Sequence, residues 1–394
     1  VPVLDVTVVA PTPKIINRRL PTLTGMRCAA AFLVFGQHTL EEYFHGDWSA
    51  PHAVKSIMWA LFADAGGPGV SFFFVLSGFV LAWSARPSDT RRAFWRRRAA
   101  KIYPNHLVTA LLAIALFRVV DPFSIAANLT LTQVWFPFPA IYDSLNVVSW
   151  SLACEMFFYL CFPFVLASAR GKSTAWLWWV GGGLVAGVVV VDAAMIPATH
   201  TAASWFAYHF PPVRIAEFVV GIVLALLVQR GGWRGPGLRW SLVLFAVAYV
   251  VAPRVPFPLN QQAVTLVPVA LVVAAAATAD NRGVRTIWSR RTLVYLGEVS
   301  FAFYLVHYLV IVGAVRAGLV PRHVTLSTAA IGTFGLFCVS VLAAMALFHG
   351  VEKPMMRRLG QPRKLGRHRK GSLRTPHDEQ RRPPDVPRAG VVVR

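Results

Sequence analysis

Apolar residues run through this chain in long blocks separated by short polar segments, with neither the strict alternation of strands nor the single stripe of a soluble helix. Windows of about 17 to 25 apolar residues, enough to cross a hydrocarbon core about 30 Å thick, fall at 23–44, 68–84, 102–120, 147–169, 174–194, 211–229, 237–253, 262–279, 293–315 and 325–350. The pattern predicts an all-α membrane protein, a bundle of about ten transmembrane helices. It divides the chain into an N-terminal segment 1–22, a ten-helix domain 23–350 and a tail 351–394. Beyond about residue 360 the chain is polar, basic and without hydrophobic period, and is expected to be disordered. The first span starts near residue 23 and carries a charge, so it is expected to stay as an anchor rather than be cleaved as a leader.

Composition agrees with this reading: 56% of residues are hydrophobic, 14% charged, and the mean hydropathy is +0.55. The net charge of +22 invites a nucleic-acid partner until the basic residues are placed. With Arg239, at the mouth of its span, counted with its loop, 32 Lys and Arg lie on the N-terminal side of the bundle and 4 on the other. Basic loops alternate with bare ones along the whole chain, which by the positive-inside rule makes both termini cytoplasmic in a multi-pass cell-membrane protein. The charge is therefore topological, and no nucleic acid is expected; contact with membrane lipid head groups is. Arginine outnumbers lysine 32 to 7 in an Ala- and Val-rich chain, which suits a GC-rich bacterial genome. Cys28, Cys154, Cys161 and Cys338 all fall in apolar spans without metal-ligand spacing, so packing roles and no metal are expected.

Ionisable residues inside spans carry the most information, because each is costly in hydrocarbon unless paired or facing a cavity. They include Arg27, His38, Glu155, Arg214, Glu217, Glu298 and His307. Arg214 and Glu217 stand three apart and could pair along one helix. With about 1.5 Å of rise per residue, His38 and His307 come out roughly 22 and 21 Å from the inner face, and Glu155 roughly 12 Å from the outer one. That places a base, a carboxylate and a second imidazole at one level. Arg27 and His38, eleven residues apart, share a helix face, with the guanidinium near the cytosol and the imidazole deep. Such a face suits a long anionic donor whose phosphates are held below while a reactive arm reaches inward.

Six segments resemble acyltransferase family 3, the polytopic membrane O-acyltransferases. LPTLTGMRCAAAFLVFGQHT, residues 20–39, is similar to the family's opening helix with Arg-x10-His, here Arg27 and His38. GPGVSFFFVLSGFVLAW, residues 67–83, resembles the second-helix signature with Ser77, Gly78 and Phe79. FWRRRAAKIYP, residues 94–104, resembles the cytoplasmic Arg-x-x-Arg segment, with Lys101 in place of the second arginine: the charge is kept and the bidentate fork lost. VVSWSLACEMFFYLCFP, residues 147–163, resembles the element carried here by Trp150, Ser151, Leu152, Glu155, Tyr159 and Pro163. YLGEVSFAFYLVHYLVI, residues 295–311, resembles the late helix with Tyr304, Leu305 and His307, and GVEKP, residues 350–354, the closing Glu-Arg-Pro.

The resemblance implies an acyl-CoA-dependent O-acyltransferase that uses acyl-CoA as co-substrate, holds no permanent cofactor, and takes a hydroxylated small molecule or glycan as acceptor. It implies His38 as general base, with Arg27 and Glu155 orienting it or stabilising charge, and a donor site at Arg97, Arg98, Lys101, Ser77 and Tyr103. Trp150, Ser151, Tyr159, Arg214, Glu217, Tyr304 and His307 are expected near the substrate or behind these groups. A neutral buried imidazole suits the base role. Direct transfer is favoured because no Gly-x-Ser-x-Gly elbow occurs, with Cys28, Ser77 and Ser151 as the alternative nucleophiles. Chain length and the LPTLTGMR opening look most like the compact group that acylates macrolide antibiotics at a lactone or sugar hydroxyl; a cell-envelope glycan or lipid is the alternative acceptor. The rivals of other classes are a polytopic transporter, which would show repeated halves or broken helices, and a non-catalytic membrane sensor. Oligomeric state is left open by the sequence.

Overall fold

The computed structural model describes residues 19–44, 52–86, 88–118, 121–319 and 325–360. These residues are helical, with no strand among them. In chain order the helices are α1 (Pro21–His38), α2 (His52–Phe62), α3 (Gly66–Ser84), α4 (Arg91–Phe117), α5 (Pro122–Leu129), α6 (Pro139–Tyr142), α7 (Ser149–Arg170), α8 (Thr174–Ala194), α9 (His200–Ala203), α10 (Pro211–Gln229), α11 (Leu238–Val251), α12 (Ala263–Asn281), α13 (Arg291–Arg316), α14 (Leu326–Leu347) and α15 (Lys353–Leu359). Eight helices among the described residues are long and apolar enough to cross a membrane. The expected spans 23–44 and 237–253 lie outside those eight: α1 has 18 residues and turns into a π-helix at Thr39–Tyr43, and α11 has 14.

Other boundaries also differ from the hydropathy windows. The short helix α2 precedes α3, and α4 starts at Arg91, so the basic loop expected up to residue 101 is mostly the first three turns of a helix. Thr90 caps that helix by accepting from the Ala93 N–H. The chain also stays helical past residue 350, through a π turn at Phe348–Glu352 into α15, which packs on α4. The rest of the expected tail, 361–394, and residues 1–18 of the N-terminal segment lie outside the described residues.

Two close helix pairs build the frame. Cβ atoms at Gly78 of α3 and Gly221 of α10 would collide with the carbonyl oxygens of Phe218 and Val75, so the two backbones touch through reciprocal glycines. Gly297 of α13 meets the Thr24 carbonyl of α1 in the same way. The N-terminus of α1 is pinned by Asp280 at the end of α12: its buried carboxylate accepts from the Thr22 N–H at 3.0 and 3.1 Å and satisfies orphan donors where the helix dipole is positive. These contacts fix the rotation of α1, and with it Arg27 and His38. Gly221→Val is expected to cost about 1–3 kcal/mol by overpacking, read as a lower thermal unfolding midpoint of the purified protein. An unchanged midpoint would mean that α3 and α10 do not touch.

Candidate active site

Helices α1, α3, α4, α7 and α13 enclose a cavity of about 880 Å³. One half carries Arg19, Arg27, Arg98 and Lys101 together with Glu155 and Glu298; the other end is closed by Phe73, Phe74, Ser151 and Tyr304. Arg27, on α1, lies in the field of Glu352, Glu155 and Glu298. Lys101 Nζ is 3.8 Å from Glu352 Oε1, and Asn105 Nδ2 donates to Glu352 Oε2 at 2.8 Å. Glu352 is buried, so the π turn that follows α14 reaches back to hold the lysine that stands where the family motif has arginine. Arg98 rests over the rings of Phe94 and Tyr159.

Glu155 belongs to this inner group. Tyr159, one turn on, donates its hydroxyl to Glu155 Oε2 at 3.0 Å, and Ser77 Oγ stands 3.1 Å from the same hydroxyl. Ser151 Oγ is 2.7 Å from the Tyr304 hydroxyl, which sets the register between α7 and α13. From that level α13 continues one turn to His307 while α7, running the opposite way, continues one turn to Glu155. The two groups thus differ in depth by about 10 Å, against the expected common level. The reason is that α7 hangs from an excursion, residues 121–148, that folds into α5, a 3-10 turn and α6. Buried Asn128 and Gln133 donate to Ser149 Oγ at 3.0 and 3.2 Å, and Asn146 donates to the Leu305 carbonyl, so this excursion sets the height of α7. Within it, loss of water pushes the Asp143 carboxyl up to about 7, 3.7 Å from His209 Nε2.

Just outside the cavity the two histidines meet. His38 Nδ1 is 3.0 Å from His307 Nε2. His307 Nδ1 is 3.1 Å from the Phe303 carbonyl, which can only accept, so that nitrogen carries the hydrogen. In a neutral pair His307 Nε2 is then a lone pair accepting from His38 Nδ1–H, which leaves His38 Nε2 free to take a proton. His307 is fully buried and His38 partly so. The ring of Tyr308 stands edge-on to His38, and its hydroxyl donates to Glu42 Oε1 at 2.9 Å. His38 closes α1 directly before the Thr39–Tyr43 π turn, an irregularity that often marks a functional site.

The structure thus gathers Arg27, Glu155, Arg98, Lys101, Ser77, Ser151, Tyr159 and Tyr304 around one cavity, with His38 and His307 paired one helical turn beyond it. Arg97 faces a neighbouring cleft, paired with Asp89 at 3.1 Å. Tyr103 points away, its ring edge-on to His106. Arg214 and Glu217 form a 3.0 Å ion pair at full burial, roofed by Trp150 and Tyr208 and continued through Gln262 to Asp192. None of that group lines the cavity. The sequence reading missed Glu352 and Asn105, which fix Lys101, and Tyr308 and Glu42, which flank His38. Glu352 had a signal, the GVEKP segment itself; Tyr308 adjoins a motif histidine, whereas Asn105 and Glu42 carried no mark beyond polarity.

The model of the acyltransferase domain of family 3 matches residues 20–349. The chain belongs to acyltransferase family 3. It is a membrane O-acyltransferase by that membership, which disposes of the transporter and sensor readings. It is 42% identical to the acyltransferase MdmB of Streptomyces mycarofaciens over 367 residues, 88% of this chain and 94% of that protein. It is 29% identical to the exopolysaccharide production protein ExoZ of Rhizobium meliloti (strain 1021) over 320 residues, 76% of this chain and 92% of that protein. No solved structure matches it.

Proposed function

We propose that the protein transfers a short acyl group from acyl-CoA, entering from the cytosol, to a hydroxyl of a macrolide antibiotic or sugar. In this reading the chain crosses the cell membrane ten times with both termini cytoplasmic. The cationic mouth of the cavity holds the donor's phosphates, and its thioester extends to the Ser151–Tyr304 level. The acceptor hydroxyl gives its proton to His38 Nε2 as its oxygen attacks the thioester carbonyl. The oxyanion is met by the Tyr304 or Ser151 hydroxyl. Collapse breaks the C–S bond, the imidazolium returns the proton to the thiolate, and free coenzyme A and the new ester leave. No acyl-enzyme is required.

The observation that carries this reading is the His38–His307 pair standing one turn beyond one end of a cavity whose other end is cationic. The experiment is incubation of the purified protein with labelled acyl-CoA and a panel of hydroxylated acceptors, macrolides and glycans included. Label on a macrolide is the expected result. Label on an envelope glycan alone would favour the second acceptor class, which the similarity to ExoZ supports; label on neither, with the donor bound, would overturn the acceptor assignment.

A further inference from the structure

At the end of the bundle where His38 and His307 meet, the carboxylates Glu41, Glu42, Asp64 and Asp143 share one property: among the described residues none has a lysine or arginine as its ion-pair partner. They are held by a phenol, amides and an imidazole. Tyr308 donates to Glu42 Oε1 at 2.9 Å, Gln37 to Glu41 Oε1 at 2.7 Å, and Asn260 and Gln261 to Asp64 Oδ1 at 3.0 and 3.2 Å, while His209 Nε2 stands 3.7 Å from Asp143. Arg254 and Arg316, at the same end, donate to the Val250 and Leu116 carbonyls instead. Acidic residues on a side poor in lysine and arginine need no explanation beyond topology.

Two observations go further and point to a ligand. Tyr308 joins one carboxylate to the histidine pair: its ring stands edge-on to His38 with centroids 5.3 Å apart, while its hydroxyl orients Glu42 and leaves Glu42 Oε2 without a partner among the described residues. The phenol also lies in the field of Asp143 and Glu41, as does Tyr208, so the carboxylates gather round two aromatic rings beside His38. Asn146, three residues after Asp143, is 1% exposed and donates to the carbonyl of Leu305, two residues before His307. Its Oδ1 is buried with no hydrogen-bond partner, a costly state that a donor on a ligand would relieve.

An oriented carboxylate with a free oxygen, next to aromatic faces, fits a compact cation that brings its own N–H or C–H donors. We propose that this end seats a protonated amine of the acyl acceptor, an alkylammonium carried near the hydroxyl that His38 deprotonates, with Glu42 as its counter-charge and the Tyr308 ring as one wall. The inference rests on the acceptor reading above and narrows it to amine-bearing acceptors. The two ends of the site then have opposite charge, cationic for the donor's phosphates and anionic for the acceptor.

The test is transfer by the full chain in detergent, with labelled acyl-CoA, to a macrolide bearing a dimethylamino sugar and to the same macrolide converted to its uncharged N-oxide. A second arm pairs a glucosamine oligosaccharide with its N-acetylated form, which separates the two sources of the amine. The wild type is expected to favour one amine over its neutral partner by about tenfold in kcat/KM, the size of one charge-assisted contact, through KM. Glu42→Gln keeps a hydrogen-bond acceptor for Tyr308 and should erase that preference; Glu42→Lys should reverse it. A carboxylate beside His38 would also favour the imidazolium, but loss of that role would lower kcat for charged and neutral acceptors alike. Equal use of amine and neutral partner by the wild type, or a preference that survives Glu42→Gln, overturns the inference and leaves the acceptor reading standing. Label on none of the four, with the donor bound, overturns the acceptor reading itself.

Discussion

His38→Ala is expected to lower kcat/KM for acyl transfer by about 10²–10⁴-fold, the range of a lost general base, while donor binding stays unchanged. The split follows from geometry. The histidine pair stands beyond the Ser151–Tyr304 end of the cavity and does not line it, so its loss removes no donor contact. In the proposed mechanism His307 acts on the same step through His38, because its Nε2 lone pair would hold His38 in the tautomer with a free Nε2. His307→Gln, which keeps an acceptor for the His38 Nδ1–H, should therefore retain more activity than His307→Ala, and the alanine variant should shift the pH profile of kcat. Both readings come from the same transfer assay with labelled acyl-CoA. Transfer that survives His38→Ala would falsify the base assignment.

How much of this site was legible in sequence depended on where each helix gets its height. The helices α1 and α13 run side by side in the same direction, so counting residues from a sharp polar boundary placed His38 and His307 together, and the structure pairs them at 3.0 Å. Glu155 could not be placed that way. Its helix descends from the 121–148 excursion, whose depth is set by tertiary hydrogen bonds from Asn128, Gln133 and Asn146. A window that starts at the first apolar residue has no access to those contacts.

The same limit explains the helix ends. Hydropathy located the apolar bodies, but the π turns after His38, at Ser204–His209 and at Phe348–Glu352 do not change composition and leave no periodic trace. Each brings a side chain to a specific partner: Glu42 to Tyr308, His209 to Asp143 and Glu352 to Lys101. Glu352 shows the consequence. It sat in a recognised segment, yet only the fold reveals that it clamps the lysine that replaces the family's arginine. A point charge without the bidentate fork gains from being held by a neighbour.

Glu217→Ala is expected to destabilise the protein by about 3–5 kcal/mol, the usual result of stranding one member of a buried pair. Arg214 would keep its charge at full burial with only Gln262 and the faces of Phe74, Trp150 and Tyr208 around it. The double change Arg214→Met/Glu217→Met removes both charges at similar volume and should recover most of the loss. Thermal unfolding in detergent measures the stabilities, and transfer per folded molecule should match the wild type in the double variant, since neither residue lines the cavity. A double variant that folds normally and transfers nothing would move Arg214 and Glu217 into the substrate machinery. Until then the pair is best understood as the strut that holds α10 against α12 and α8 through Gln262 and Asp192, and so keeps α3, locked to α10 by Gly78 and Gly221, in the wall of the active site.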